Sequence, residues 1–282
     1  MLYHWFLSVV ALLAVADAPP AGTLQKKLLE INAVEAKLWD LYVDEERQTT
    51  AELLDRPIYV WTNPTKGGGQ FGSVFLWTHA GRPIAVASIF AHPVKENRQV
   101  VHELHSLAPR LIYPECRDGH PETWAPKAGV SLQPFPDAPA PDASPTKRLL
   151  QMRKLGRELG GHTVDWRKQR WELRLLPQPL YRYGKANGEV LDGALFAMVT
   201  DAGTDPEILV QIEATKEGWR YGLMRFTDSS FYVRLADREI FSAVRGTPEW
   251  AQRFNPDHTY RTFQKRLLTE EELGGLKEEG QP

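Results

Sequence analysis

Residues 56–109 read RPIYVWTNPTKGGGQFGSVFLWTHAGRPIAVASIFAHPVKENRQVVHELHSLAP. Apolar, β-branched and aromatic runs alternate with turn chemistry at Asn63-Pro64, Gly67-Gly68-Gly69, Ala80-Gly81 and Glu96-Asn97. The pattern predicts strands near 57–62, 72–78, 83–91 and 99–107, running as an antiparallel meander. The last three are apolar at consecutive positions, so both faces are expected to be covered.

The plan recurs later in the chain. Pro57-Ile58-Tyr59 is matched by Pro179-Leu180-Tyr181, and Gly72-Ser73-Val74-Phe75 by Gly193-Ala194-Leu195-Phe196. Thr78-His79-Ala80-Gly81 is matched by Thr200-Asp201-Ala202-Gly203, with Pro83 and Pro206 following, and Lys95-Glu96-Asn97 by Lys216-Glu217-Gly218. Order and spacing are kept, so an internal duplication is expected. The fold class that follows is α+β and predominantly antiparallel β. It is a barrel or two-layer sandwich of two related meander halves, with an N-terminal helix and a short linking helix.

Outward from these halves the chain divides into a signal peptide (1–18), an N-terminal helical segment (19–56), a first β half (57–133), a Pro/Ala-rich linker with a short helix (134–161), a second β half (162–246) and a polar tail (247–282). Residues 23–54 place Leu24, Leu28, Ile31, Leu38, Leu41 and Tyr42 on one helical stripe, fading near Asp44–Thr50. In the linker, Ser144 then Pro145 reads as an N-cap with proline in the first turn, and Gly160-Gly161 as the stop. Lys147, Arg148, Arg153, Lys154 and Arg157 are expected on that helix's solvated face. Trp171, Leu173 and Leu175 alternate with Glu172 and Arg174 as a strand. Residues 230–244 read as a hairpin turning at Asp237, and Thr269 opens a capping-box helix.

The N-terminus, MLYHWFLSVVALLAVADAPPAG, has an apolar run from Trp5 to Ala16 followed by A-x-A sites. The run is short for a bilayer span and reads as a secretory signal; an uncleaved anchor is the alternative. The expected location is periplasmic or extracellular, with no transmembrane segment after signal removal. With Lys+Arg 34 against Asp+Glu 36, the net charge of −2 excludes the strong positive field that nucleic acid or polybasic lipid binding requires. The single cysteine, Cys116, excludes an intramolecular disulfide.

The strings PIYVWTNPTKGGGQFGSVFLWTHAGRPIAVASIF, HELHSLAP, RWELRLLPQPLYRY and DGALFAMVTDAGTDPEILVQIEA resemble a family of uncharacterised exported proteins of planctomycete bacteria, over roughly residues 23–245. The resemblance implies export. It implies no activity, and it carries over no site residue.

Candidate chemistry therefore rests on the residues themselves. HELH is not HExxH, and on a strand His102 and His105 point to opposite faces, so they cannot share an ion. Glu103 and His105 share a face with Val101 and Leu107. On a covered strand Glu103 needs a partner, with His105 or an arginine the candidates, or its pKa rises. Glu103 and His105 are the candidate acid–base residues. Glu172, Arg174, Glu213 and Arg225, together with Arg182, are a candidate ion network, with Glu172, Arg174, Glu213 and Arg225 the candidate ligand-binding residues. If the halves correspond, Arg225 falls near the position of His105. Gly67–Gly69 lacks a following Gly-Lys-Ser/Thr and is a hairpin loop. No metal site or cofactor is expected. The function expected is non-catalytic binding of a small ligand or envelope component between the halves; the alternative is a hydrolase using Glu103 and His105.

Overall fold

The computed structural model describes residues 23–63, 69–95, 97–121, 123–127, 129–184 and 189–273. The signal segment, Gly67 and Gly68, and Glu96 lie outside the described residues. The chain opens with α1 (Thr23–Ala36), β1 (Trp39–Tyr42), β2 (Glu52–Leu53), β3 (Tyr59–Asn63), β4 (Gln70–His79), β5 (Arg82–Val94), β6 (Asn97–Ser106), β7 (Tyr113–Cys116) and β8 (Gln133–Pro134). It continues with α2 (Pro145–Arg157), β9 (Leu159–Val164), β10 (Arg170–Leu175), β11 (Tyr181–Tyr183), β12 (Val190–Thr200), β13 (Ile208–Thr215), β14 (Gly218–Arg225), β15 (Ser230–Leu235) and β16 (Arg238–Ala243). It ends with α3 (Pro248–Ala251), a 3-10 turn (Gln252–Phe254), β17 (Tyr260–Leu267) and α4 (Glu270–Leu273).

The architecture is mostly antiparallel β, with helices on the outside. One large sheet has the order β17-β6-β5-β4-β2, with β3 also on β4; a second has the order β16-β15-β9-β10-β12-β13-β14-β8, with β11 on β12; β1 and β7 form a separate two-stranded ribbon. Alternation along the strands sends side chains to two faces. Val74, Leu76 and Val86 of the first sheet pack with Leu195, Ala197, Leu209 and Met224 of the second in a shared core. The opposite face of the first sheet, with Phe75, Trp77 and Ile89, takes Leu28 and Ile31 of α1. The opposite face of the second, with Phe196, Val210 and Ile212, takes Met152 and Leu155 of α2. Each fully buried side chain of this size contributes roughly 1.5–3 kcal/mol.

The two sheets are paired in parallel ways. β3 meets β4 with Tyr59 opposite Val74 and Trp61 opposite Gly72, while β11 meets β12 with Tyr181 opposite Leu195 and Tyr183 opposite Gly193. In both places only glycine fits. A Cβ on Gly72 would stand 2.1 Å from the Trp61 ring, and one on Gly193 would stand 2.3 Å from the Tyr183 ring. β2 and β10 each continue the same edge, Leu53 opposite Trp77 and Leu175 opposite Met198. β1 pairs with β7, and β9 with β15. The far edges are then exchanged. β8, which follows the first meander, pairs with β14 of the second, and β17, which follows the second, pairs with β6 of the first. Each strand covers an edge that would otherwise be open.

Four expectations are corrected. The first helix stops at Ala36, and Trp39–Tyr42 is a strand, because its backbone pairs with the distant Tyr113–Cys116. α2 stops at Arg157, and Gly160-Gly161 lies inside β9, where a Cβ on Gly161 would strike the Tyr232 carbonyl at 2.2 Å. Its Arg148 is not on the solvated face: it is buried, with Nε 3.0 Å from Asp192 Oδ2. The polar tail holds β17, whose Tyr260 and Phe263 are buried, as is Lys265, whose ammonium is 2.7 Å from Asp118. Partnered charges disguised a buried edge strand as a solvated tail.

Candidate functional site

β6 presents different chemistry to its two sides. Toward α1 it sends Val100, His102 and Leu104. His102 is buried; its Nδ1 accepts from Trp39 Nε1 at 3.1 Å, and its Nε2 lies 3.2 Å from Glu35 Oε2. Glu35 also receives Arg266 Nε at 2.7 Å. Burial pushes the His102 pKa down, against the pull of Glu35. Glu35 is held below the carboxylate range, the burial that would raise it being outweighed by His102 and Arg266. With Nδ1 accepting, His102 is a neutral core imidazole that ties α1 to the sheet.

Toward the seam β6 sends Glu103 and His105. The partner of Glu103 is neither His105 nor an arginine. It is Tyr260 of β17, whose hydroxyl donates to Oε1 at 2.8 Å. Burial pushes the Glu103 carboxyl up to about 8; the Tyr260 bond opposes this, and Asp228, Asp205 and Glu207 add to the rise. Glu103 is therefore a neutral acid at pH 7. His105 faces the Tyr260 ring at 6.1 Å, and its Nδ1 is 2.9 Å from the Ser106 carbonyl oxygen. Burial pushes His105 down to about 3, against the Ser106 bond and with help from His258. That carbonyl accepts Nδ1–H, which fixes the neutral tautomer.

The two residues line different cavities. Glu103 lines a cavity of about 320 Å³ with Trp61, Ser88 and Phe90 of the first sheet and Asp205, Glu207 and Asp228 of the second half. The segment Asp165–Arg167, with Gln169 and Trp171, also borders it. Trp166 is 68% exposed, with the Arg167 guanidinium 4.6 Å over its ring. His105 instead lines a cavity of about 440 Å³ with Tyr260 and Arg225. The expected acid–base couple is thus not formed: same strand face, two cavities, and Tyr260 bonded to one residue and its ring tilted against the other.

The expected ion network does not form as one unit either. Glu172 is exposed beside Arg170 at 2.7 Å, and Arg174 is exposed at 3.8 Å from Asp201. Both point away from the two cavities because they alternate with Trp171, Leu173 and Leu175 on β10. Arg182 joins Arg148 on Asp192 instead, with Nη2 at 2.7 Å. Glu213 is fully buried and takes Arg82 from the first sheet at 2.7 Å and Arg220 at 3.1 Å. Tyr183 OH at 2.8 Å and Gln211 Nε2 at 3.0 Å complete its shell. Arg225 stands apart at the end of β14.

Sequence reasoning missed Tyr260, the loop acids Asp205, Glu207 and Asp228, and Trp166. The Tyr-Arg-Thr-Phe alternation of 260–263 was a strand signal; the loop acids carry none, because only the fold converges them. Cys116 is half-buried, its thiol pushed up by burial, and its Sγ donates to Asp118 at 3.1 Å. Among the described residues no group of three or more His, Cys, Asp or Glu converges as metal ligands, and no helix is long and apolar enough to cross a membrane.

Fold and seam together define a two-layer antiparallel β protein, helix-covered on both outer faces, with two ligand-sized cavities between its halves. No family model, no curated protein and no solved structure matches the chain.

Proposed function

We propose that this chain is an exported binding protein that holds a small organic cation in the cavity beside Glu103. The observation that carries the reading is a buried carboxyl, neutral at pH 7, lining that cavity with Asp205 and Glu207; Asp228 also lines it, ion-paired with Arg245 of the same wall. Trp61, Trp166 and Trp171 supply indole surface around it. A cation seated there meets a negative field in a medium of low effective dielectric and stacks on aromatic faces. The volume is within the range of small-molecule sites. Export rests on the N-terminal apolar run and on the family resemblance. Derivation of the halves from one duplicated unit is supported by the matched pairing of β3–β4 with β11–β12 and by the equivalent glycines under Trp61 and Tyr183.

The reading makes binding proton-linked. A cation beside Glu103 favours its ionised form, so binding releases a proton below about pH 8. Calorimetric titration with choline and putrescine, in buffers of different ionisation enthalpy, is expected to show this release. Glu103→Gln is expected to abolish it and to weaken binding at least tenfold above pH 8. Absence of binding for both probes would sink the proposal, as would binding that is indifferent to Glu103→Gln.

A further inference from the structure

We infer that the second cavity is a binding site for a small monocarboxylate with an apolar tail, its carboxylate held by Arg225. The inference concerns a different cavity from the cation site and is tested with different probes, although Tyr260 adjoins both. Arg225 is 5% exposed, and its guanidinium is only partly satisfied. Nε donates to the Thr227 carbonyl at 2.8 Å and Nη1 to the Trp250 carbonyl at 3.0 Å. Nη2, itself buried, has no partner among the described residues. Asp228 and Glu103 bear on Arg225 electrostatically, but Asp228 is paired with Arg245 and Arg253 and Glu103 is bonded to Tyr260, and neither hydrogen-bonds Arg225.

The surroundings of Arg225 are aromatic. Its guanidinium carbon lies 5.3 Å from the Tyr260 ring centroid, 5.8 Å from that of Phe231 and 6.0 Å from that of Trp250. Ring faces attract a cation but do not neutralise it. A buried cation short of both a counter-charge and a hydrogen-bond acceptor is costly, and a carboxylate supplies both at once. Arginine suits the task because its planar fork matches a carboxylate.

The cavity that Arg225 lines measures about 440 Å³. Much of its remaining wall is apolar: Val130, Leu223, Ile240 and Phe241 join Phe231. A charged head at Arg225 and a hydrocarbon tail along these residues satisfy both parts of the wall. Glu249 is the acid among the described lining residues, and it is exposed on α3. The neutral tautomer of His105 adds no competing charge.

The test uses three probes with one tail: octanoate, octanol and octylammonium, titrated into the full chain with Trp fluorescence and thermal shift as readouts. Octanoate is expected to bind and raise Tm, at least tenfold more tightly than octanol, with octylammonium weaker still. Arg225→Gln is expected to bring octanoate down to the level of octanol. Should that variant fail to fold, Ser242→Phe leaves Arg225 intact and fills the cavity that Ser242 lines; octanoate binding is then expected to vanish. The inference is overturned if octanoate does not bind, if octanol binds equally well, or if Ser242→Phe leaves octanoate affinity unchanged.

Discussion

Glu213 and Glu103 are both buried, each on the seam side of its sheet, and they have opposite surroundings. Glu213 receives two arginines, a tyrosine and a glutamine, one arginine crossing from the other sheet. Glu103 receives one tyrosine hydroxyl and sits among other acids. Desolvation costs both carboxyls; at Glu213 hydrogen bonds and opposite charge offset it, while at Glu103 a proton does. The first arrangement joins the sheets. The second leaves a group whose charge, in the proposed cation-binding reading, responds to what occupies the cavity. Burial of a charged residue type is therefore not by itself the mark of a site; incomplete compensation is.

The comparison breaks or sharpens through a graded series of variants. The largest effect is expected from Glu213→Gln, which strands Arg82 and Arg220: a loss of about 3–5 kcal/mol in urea unfolding. A loss no larger than that of Glu103→Gln at the same pH would remove the distinction. Next come Gly72→Ala and Gly193→Ala, each forcing a methyl into a ring and each costing about 1–3 kcal/mol. Similar costs at the two positions sharpen the correspondence of the sheets; a large cost at one and none at the other breaks it. Trp39→Phe leaves His102 Nδ1 without its donor and is expected to cost about 1–2 kcal/mol, read by the same unfolding curves.

The smallest effects at a single pH are the most informative across a pH range. The folded pKa of Glu103, about 8, lies above its ordinary value of 4.5. The folded state thus keeps a proton that the unfolded chain loses, and stability is lost as pH rises from about 4.5 to about 8. Glu103→Gln is expected to match wild type within about 1 kcal/mol near pH 4 and to gain on it steadily toward pH 8. His105 has the reverse sign. Its folded pKa of about 3 lies below the ordinary 6.5, so its contribution is full above about 6.5 and is lost as pH falls toward 3. His105→Gln is expected to flatten that acid limb and leave the alkaline one. Parallel curves for wild type and both variants would contradict the environments described for β6.

Much of the fold was legible because strands covered on both faces read as unbroken apolar runs between turn residues. The runs at 72–78, 83–91 and 99–107 map onto β4, β5 and β6, and the split of His102 from His105 follows from alternation alone. Trp39–Tyr42 was misread because its leucine and tyrosine also fit the helical stripe before it, and nothing local announces a partner at Tyr113–Cys116. β17 was missed because Arg261 and Lys265 look solvent-facing until their partners are in place. Of the candidate site residues, Glu103, His105, Glu213 and Arg225 are buried at the seam or its edge, whereas Glu172 and Arg174 are on the surface.

By itself the sequence determined the classes of element, the meanders and their matched turns, the exclusion of a disulfide and of a strongly basic surface, and the face each β6 side chain takes. These are properties of neighbours along the chain, set by backbone period and composition. The tertiary structure decided the exchange of β8 and β17 between sheets, the tyrosine that meets Glu103, the arginines that meet Glu213, and the separation of Glu103 from His105 into two cavities. Each of these depends on residues far apart in sequence meeting across the seam, and the balance of desolvation against partners that sets their charge exists only once they have met.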